Sequence, residues 1–220
     1  MKTTAISIIA LVLGLTVSVS AQNLLVNGNF SAGNSGFTSA FSYSPGNLLP
    51  TGVYDVVANP EFDNIYAASF GDHTTGSGLM LAVNNNANST AVVWSETVNV
   101  NSGTAYQFSG WGASWAYYYA PIDRSPALLR VYINGQQQAP DFQLPAADGQ
   151  WQNFGLAWNS GASTHATIQI LDVNTLVGGN AFVLDDLSLQ AVPEPSSIAL
   201  LGLGAVLVAG RRMQNQTSPG

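Results

Sequence analysis

Between about residue 22 and residue 191, apolar side chains recur with a period of two, not 3.6. From Ala91 to Val100, Val92, Trp94, Glu96, Val98 and Val100 share one parity, and Val93, Ser95, Thr97 and Asn99 share the other. Asn101-Ser102-Gly103 turns the chain into Thr104–Ala113, where Tyr106 and Phe108 fall on one face. Leu129, Val131 and Ile133 alternate with Leu128, Arg130 and Tyr132 ahead of the turn Asn134-Gly135. Residues 151–158, 166–173 and 181–189 repeat the style. Successive side chains on a strand point to opposite faces. Strong β formers with that period, bounded by Gly, Asn, Pro and Ser, therefore predict strands. No stretch of the body sustains an i, i+3, i+4 apolar stripe, and no unit repeats, so bundles, doubly wound folds and solenoids are disfavoured. Roughly eight or nine strands in this span predict an all-β, antiparallel β-sandwich.

The pattern changes at both ends. Met1-Lys2 precedes an apolar run from Ala5 to Val17, and Val19-Ser20-Ala21 supplies small residues where a signal peptidase cuts. This reads as a secretory signal peptide over 1–21; the alternative, an uncleaved anchor, calls for about 20 apolar residues. At the other end, Val192-Pro193-Glu194-Pro195-Ser196-Ser197 leads into the apolar run Ile198–Gly210 and then Arg211-Arg212. The prolines set the start of a helix, and residues 197–210 would span about 21 Å against a bilayer core of about 30 Å. A short hydrophobic helix with arginines behind it is a marginal transmembrane stop, leaving the body on the far side of the membrane. Residues 213–220 form a polar tail.

Composition narrows the chemistry. The chain has no cysteine, which excludes disulfides, thiol catalysis and thiolate-bound metals. From Gln22 to Ala191 there are 11 acidic residues, two arginines and no lysine. Such a surface repels phosphate backbones, so nucleic acid is not an expected partner.

The order Pro193, Glu194, Pro195, apolar helix, Arg211, Arg212 resembles the PEP-CTERM sorting signal of Gram-negative, exopolysaccharide-producing bacteria. The resemblance implies an exported protein, held transiently in the inner membrane and handed by an exosortase-type enzyme to the cell surface or the extracellular medium. The polar tail departs from that pattern, in which the chain stops soon after the basic cluster. A second resemblance lies in the body. Asn23-Leu24-Leu25-Val26-Asn27-Gly28-Asn29-Phe30 opens it and Phe182-Val183-Leu184-Asp185-Asp186-Leu187-Ser188-Leu189 closes it. These are similar to the terminal strands of galactose-binding-like jelly rolls, including many carbohydrate-binding modules. That likeness implies a jelly roll over 22–191, and it implies a possible structural Ca²⁺ near Asn29, Ser31, Asp185 and Asp186. Adjacent aspartates on a strand face opposite ways, so at most one reaches such an ion.

Catalysis finds little material. No nucleophile elbow or zinc-protease helix is present; His73 beside Asp72 and the pair Glu61 and Asp63 are the only acid–base arrangements of note. The chain is not expected to be an enzyme, and a glycan-active hydrolase is the lesser alternative. Ligand binding has more. Trp111, Trp115, Tyr117 and Tyr119 lie on the parity opposite Phe108, so a row of aromatics faces outward if the strand runs that far. Aromatic faces stack on the C–H faces of sugars, although the same row packed beneath a loop would be purely structural. The expected function is a non-catalytic, glycan-binding protein of the cell surface or extracellular matrix, with exopolysaccharide or another glycan as its partner. The alternative is a matrix protein without a ligand.

Overall fold

The computed structural model describes residues 21–119 and 124–193, and Gln22–Val192 forms one compact unit. The expected signal peptide and apolar C-terminal helix fall outside the described residues, among which no helix is long and apolar enough to cross a membrane.

The period-two segments form the long strands. The elements are β1 (Ser42–Tyr43), β2 (Val53–Val57), β3 (Met80–Asn84), β4 (Val92–Asn99), β5 (Ala105–Ser114), β6 (Leu128–Ile133), β7 (Gln136–Gln137), β8 (Phe142–Gln143), β9 (Gln152–Asn159), β10 (His165–Asp172) and β11 (Phe182–Ala191). Among the described residues the one helical element is a 3₁₀ turn, Pro60–Phe62. One sheet runs β1-β2-β3-β11-β5-β9; the other runs β4-β10-β6-β7, with β8 also pairing β6. All pairings are antiparallel except β1 with β2. The fold is the expected all-β sandwich.

The core lies between the sheets. Trp94, Val131, Ile133, Ile168 and Ile170 of one sheet belong to the same buried cluster as Leu81, Tyr106, Phe108, Phe182 and Leu184 of the other. Full burial of such side chains is worth about 1.5–3 kcal/mol each. Tyr106 and Phe108 enter the core together, as their parity requires. Asn134 and Gly135 take φ of +52° and +75°, which suits the tight connection from β6 to β7.

Alternation breaks in three places. In β4 the register slips, so that Ile170 pairs Trp94 while Leu171 pairs Val92; Val93 drops into the core and Val92 reaches the outer face. The opening segment 23–30 is a turn and not a strand. Asn27 and Phe30 have φ of +59° and +54°, so the segment winds beside β11. It is held there by Leu24 N–H donating to Leu189 O and Leu187 N–H donating to Gly28 O, with Phe30 plugging the core. In β11 the register shifts between Asp185 and Ser188, where Asp186 takes φ of +49°.

The two outer faces differ. Over the six-stranded sheet the chain between β1 and β3 folds back, and Leu48 and Ala67 join Val53, Met80, Ala113, Trp115 and Val183 in a second apolar cluster. Among the described residues, the outer face of the five-stranded sheet carries no such apolar cluster.

Candidate functional site

The expected aromatic row does not form one platform. Trp115 is 1% exposed, and its indole N–H donates to Val83 O and Phe182 O at 3.0 Å each. This corrects its expected place in an outward row: its parity is opposite Phe108, but that face lies under the second apolar layer. Trp111 is half-buried, with the imidazole of His73 stacked on it at 3.8 Å between centroids and 17° between planes. Tyr117 is half-buried, its N–H donating to Asp148 Oδ1. Only Tyr119 of the four is well exposed, and its ring neighbour is Tyr66, 5.6 Å away.

The bulge in β11 turns Asp185 and Asp186 toward one loop. Asp185 Oδ2 accepts the His73 N–H and its Oδ1 accepts the Asp186 N–H; Asp186 Oδ2 meets His73 Nδ1 at 2.8 Å and accepts the Thr74 hydroxyl. Two carboxylates that strict alternation would separate thus grip the same histidine. Burial, with Asp186 and Asp72 nearby, pushes the Asp185 carboxyl up to about 7. Asn29 Oδ1 is engaged by Ser31 through both its N–H and its hydroxyl. Carbonyls do converge at the opening turn, those of Gly33 and Ser35, but the Asn27 amide nitrogen sits against both, at 2.9 and 2.8 Å. Ca²⁺ takes six to eight oxygen ligands; here the Asn29, Asp185 and Asp186 side chains make the contacts just described within the protein. Among the described residues no three His, Cys, Asp or Glu side chains are grouped to hold a metal.

The hydrolase candidates also separate. Glu61 is exposed on the 3₁₀ turn, whereas Asp63 turns toward Asp55; burial, then Asp55, raise the Asp63 carboxyl to about 6.

The built concavity lies on the uncovered sheet. An open groove of about 600 Å³ crosses the outer face of β4, β10 and β6. Its floor is the parity opposite Leu129, Val131, Ile133, Ile168 and Ile170: Leu128, Arg130 and Tyr132 from β6, Gln169 and Leu171 from β10. Tyr132 lies directly across from Gln169, and Arg130 across from Leu171. The Arg130 guanidinium is fixed by a two-pronged pair with Asp141, Nε to Oδ1 and Nη2 to Oδ2, both 2.7 Å. That pairing holds the Asp141 carboxyl below its ordinary range and, with Tyr132, keeps Arg130 charged. Asp141 is the only carboxylate lining the groove, and its partner keeps it from serving as a proton donor. The groove thus offers a ring with a primary amide across from it and a locked planar cation beside it on the same strand, which is binding chemistry. Arg130, Tyr132, Asp141 and Gln169 were not singled out from the sequence as a site. The signal was the alternation in β6, with a polar or aromatic residue at every second position.

Residues 191–212 match the PEP-CTERM protein-sorting motif. The chain is therefore an exported protein that carries a sorting signal. Among solved structures it is similar to the CBM22-1 xylan-binding domain of Xyn10C from Paenibacillus barcinonensis, with 14% identity and a TM-score of 0.51 over 79% of this chain and 96% of that one. The tandem CBM22-1–CBM22-2 domain of the same enzyme also matches, with 14% identity and a TM-score of 0.51, over 81% of this chain and 48% of that one. No curated protein matches the chain. At such identity the likeness establishes the jelly-roll fold of carbohydrate-binding modules, and activity has to be argued from the site.

Proposed function

We propose that this exported protein binds polysaccharide along the groove of its five-stranded sheet, without catalysis, at the cell surface or in the extracellular matrix. The observation that carries the reading is the cluster of Tyr132, Gln169 across from it and the Arg130–Asp141 pair beside it on an open sheet face. An extended glycan needs an elongated surface with an aromatic to stack on and fixed hydrogen-bonding groups beside it. A pre-paired guanidinium meets hydroxyls without reorganising. In the same reading, residues 1–21 are removed on export and 22–191 form the binding body. Residues 192–212, with Pro193, Glu194, Pro195, Arg211 and Arg212, are what an exosortase-type enzyme takes from the inner membrane. The xylan-binding neighbour shares this fold; polysaccharide is the ligand class, and the groove chemistry supports it.

Retention of the full chain on insoluble polysaccharides tests the proposal. Tyr132→Ala should weaken retention about tenfold, which corresponds to about 1.4 kcal/mol, with an unchanged melting temperature because the ring packs on the outer face. Retention untouched by both Tyr132→Ala and Gln169→Ala would sink the groove and leave a matrix protein without a ligand there.

A further inference from the structure

We infer that the protein has a second site, separate from the groove, that takes an uncharged sugar at one pole of the six-stranded sheet. The pole is where β3 ends, β5 has just ended and β11 begins. A concavity of about 350 Å³ opens there, walled by Tyr66, Tyr119, Leu49 and Val177 and floored by Trp115 and Ala181. It shares no lining residue with the groove.

Its chemistry is specific in three respects. First, Tyr66 and Tyr119 are 52% and 60% exposed, although large aromatic rings are ordinarily drawn into a core. Their planes are inclined at 54° with centroids 5.6 Å apart, so they form an open angle, not a closed stack. Second, the polar atoms are of one kind. The Asn84 amide donates to Leu48 O and Leu49 O, leaving its Oδ1 without a partner among the described residues, and neither phenol hydroxyl is engaged there. Third, none of the described residues lining the concavity is charged, in a body with 11 acids and two bases. Rings, a neutral amide oxygen and free phenols suit the C–H face and hydroxyls of a neutral sugar. A carboxylated or phosphorylated ligand meets no cation among the described residues that line this concavity. A second copy of the chain is a poorer fit, because a stable protein contact needs about 800 Å² per partner, far more than this pocket's walls offer.

The position adds a consequence. Val192, where the chain leaves for the sorting motif, follows the last residue of β11, whereas the pole surrounds the first. The ten residues of β11, bulged at Asp186, separate them, at most about 30 Å at 3.3 Å per residue. The pole is therefore the end of the body remote from the tail's exit. If the groove reading also holds, one molecule engages glycan at two places, which raises retention on a polymer through effective concentration.

The test is an amide-shift titration of the full chain with neutral xylo-, cello- and β-1,4-galacto-oligosaccharides, beside a uronic-acid oligosaccharide. The Trp115 indole N–H, Gly178 and Gly179 report the pole. A neutral sugar should shift them in the wild type and in Tyr132→Ala, and should not in Tyr66→Ala/Tyr119→Ala, whose fold is checked by circular dichroism. The uronic acid should leave them unmoved. If neutral sugars shift only groove signals, the pole site is wrong and the groove stands; if they shift only the pole, the groove is wrong. Pole signals that follow protein concentration in the absence of sugar would assign the surface to self-association and overturn the proposal.

Discussion

The two outer faces of the sandwich start from the same rule and end in different chemistry. Each sheet sends alternate residues outward. On the six-stranded sheet those residues include Trp111, Ala113, Trp115, Met80 and Val183, and a folded-back loop seals most of them from water. On the five-stranded sheet they are Arg130, Tyr132, Gln169 and Thr167, and they stay half-exposed. An aromatic on the outer parity thus stays open to solvent on one face and becomes a core residue on the other. What decides is whether another part of the chain covers it. Composition agrees with the outcome: the sealed face is apolar, and the open one mixes a ring with groups that need water or a ligand.

This contrast breaks most visibly at Trp115. Trp115→Ala should destabilise the fold by about 3–5 kcal/mol, the cost of emptying a buried aromatic site, seen as a large fall in melting temperature. The loss should be one of folding, with groove affinity retained by the fraction that folds. Next comes pH. Asp63 within the covering stretch, Asp185 on β11, and Asp172, buried where β10 ends, have carboxyls raised to about 6, 7 and 7, each chiefly by burial. The native state holds these protons more tightly than the unfolded chain, so their contribution is full below about pH 4 and is lost as pH rises to about 7. The melting temperature should accordingly fall between those limits, and Asp172→Asn should flatten part of the slope. Asp141, on the open face, is shifted the other way, so binding in the groove should stay level across the same window. A level melting curve, or binding that tracks it, would erase the contrast. The smallest effect is expected from Asp141→Asn, which keeps the shape but loosens Arg130; a few-fold loss of glycan retention should follow, with the melting temperature nearly unmoved.

Period-two alternation was enough to find the long strands, the shared face of Tyr106 and Phe108 and the turn at Asn134-Gly135, because each is a local consequence of one strand's own residues. It could not find the cover. The stretch from Ser44 to Leu79 is rich in Gly, Asn and Pro and looks like a solvated loop, yet Leu48 and Ala67 are buried in it. Nothing local distinguishes an apolar residue that docks from one that dangles, as Ile65 and Phe62 do. The bulges were hidden for a related reason: the slip at Val92–Val93 and the positive φ of Asp186 are set by the neighbouring strands. His73 shows the result. Its sequence neighbour Asp72 binds Thr75 and Gly78, while its true partners, Asp185 and Asp186, lie more than 100 residues away. The sorting motif was legible because it is linear, needing order and spacing alone.

The course of β11 has a mechanical meaning. It lies between β3 and β5, antiparallel to both, and the chain toward the sorting motif continues from its last residue. A pull on Val192 along the axis of β11 would load this interior strand directly. Ladder hydrogen bonds run across the strand, so such a load shears them together and does not unzip them one at a time. A tether attached to an edge strand would peel. This one pulls on an interior strand, paired with β5 along most of its length and with β3 at its start.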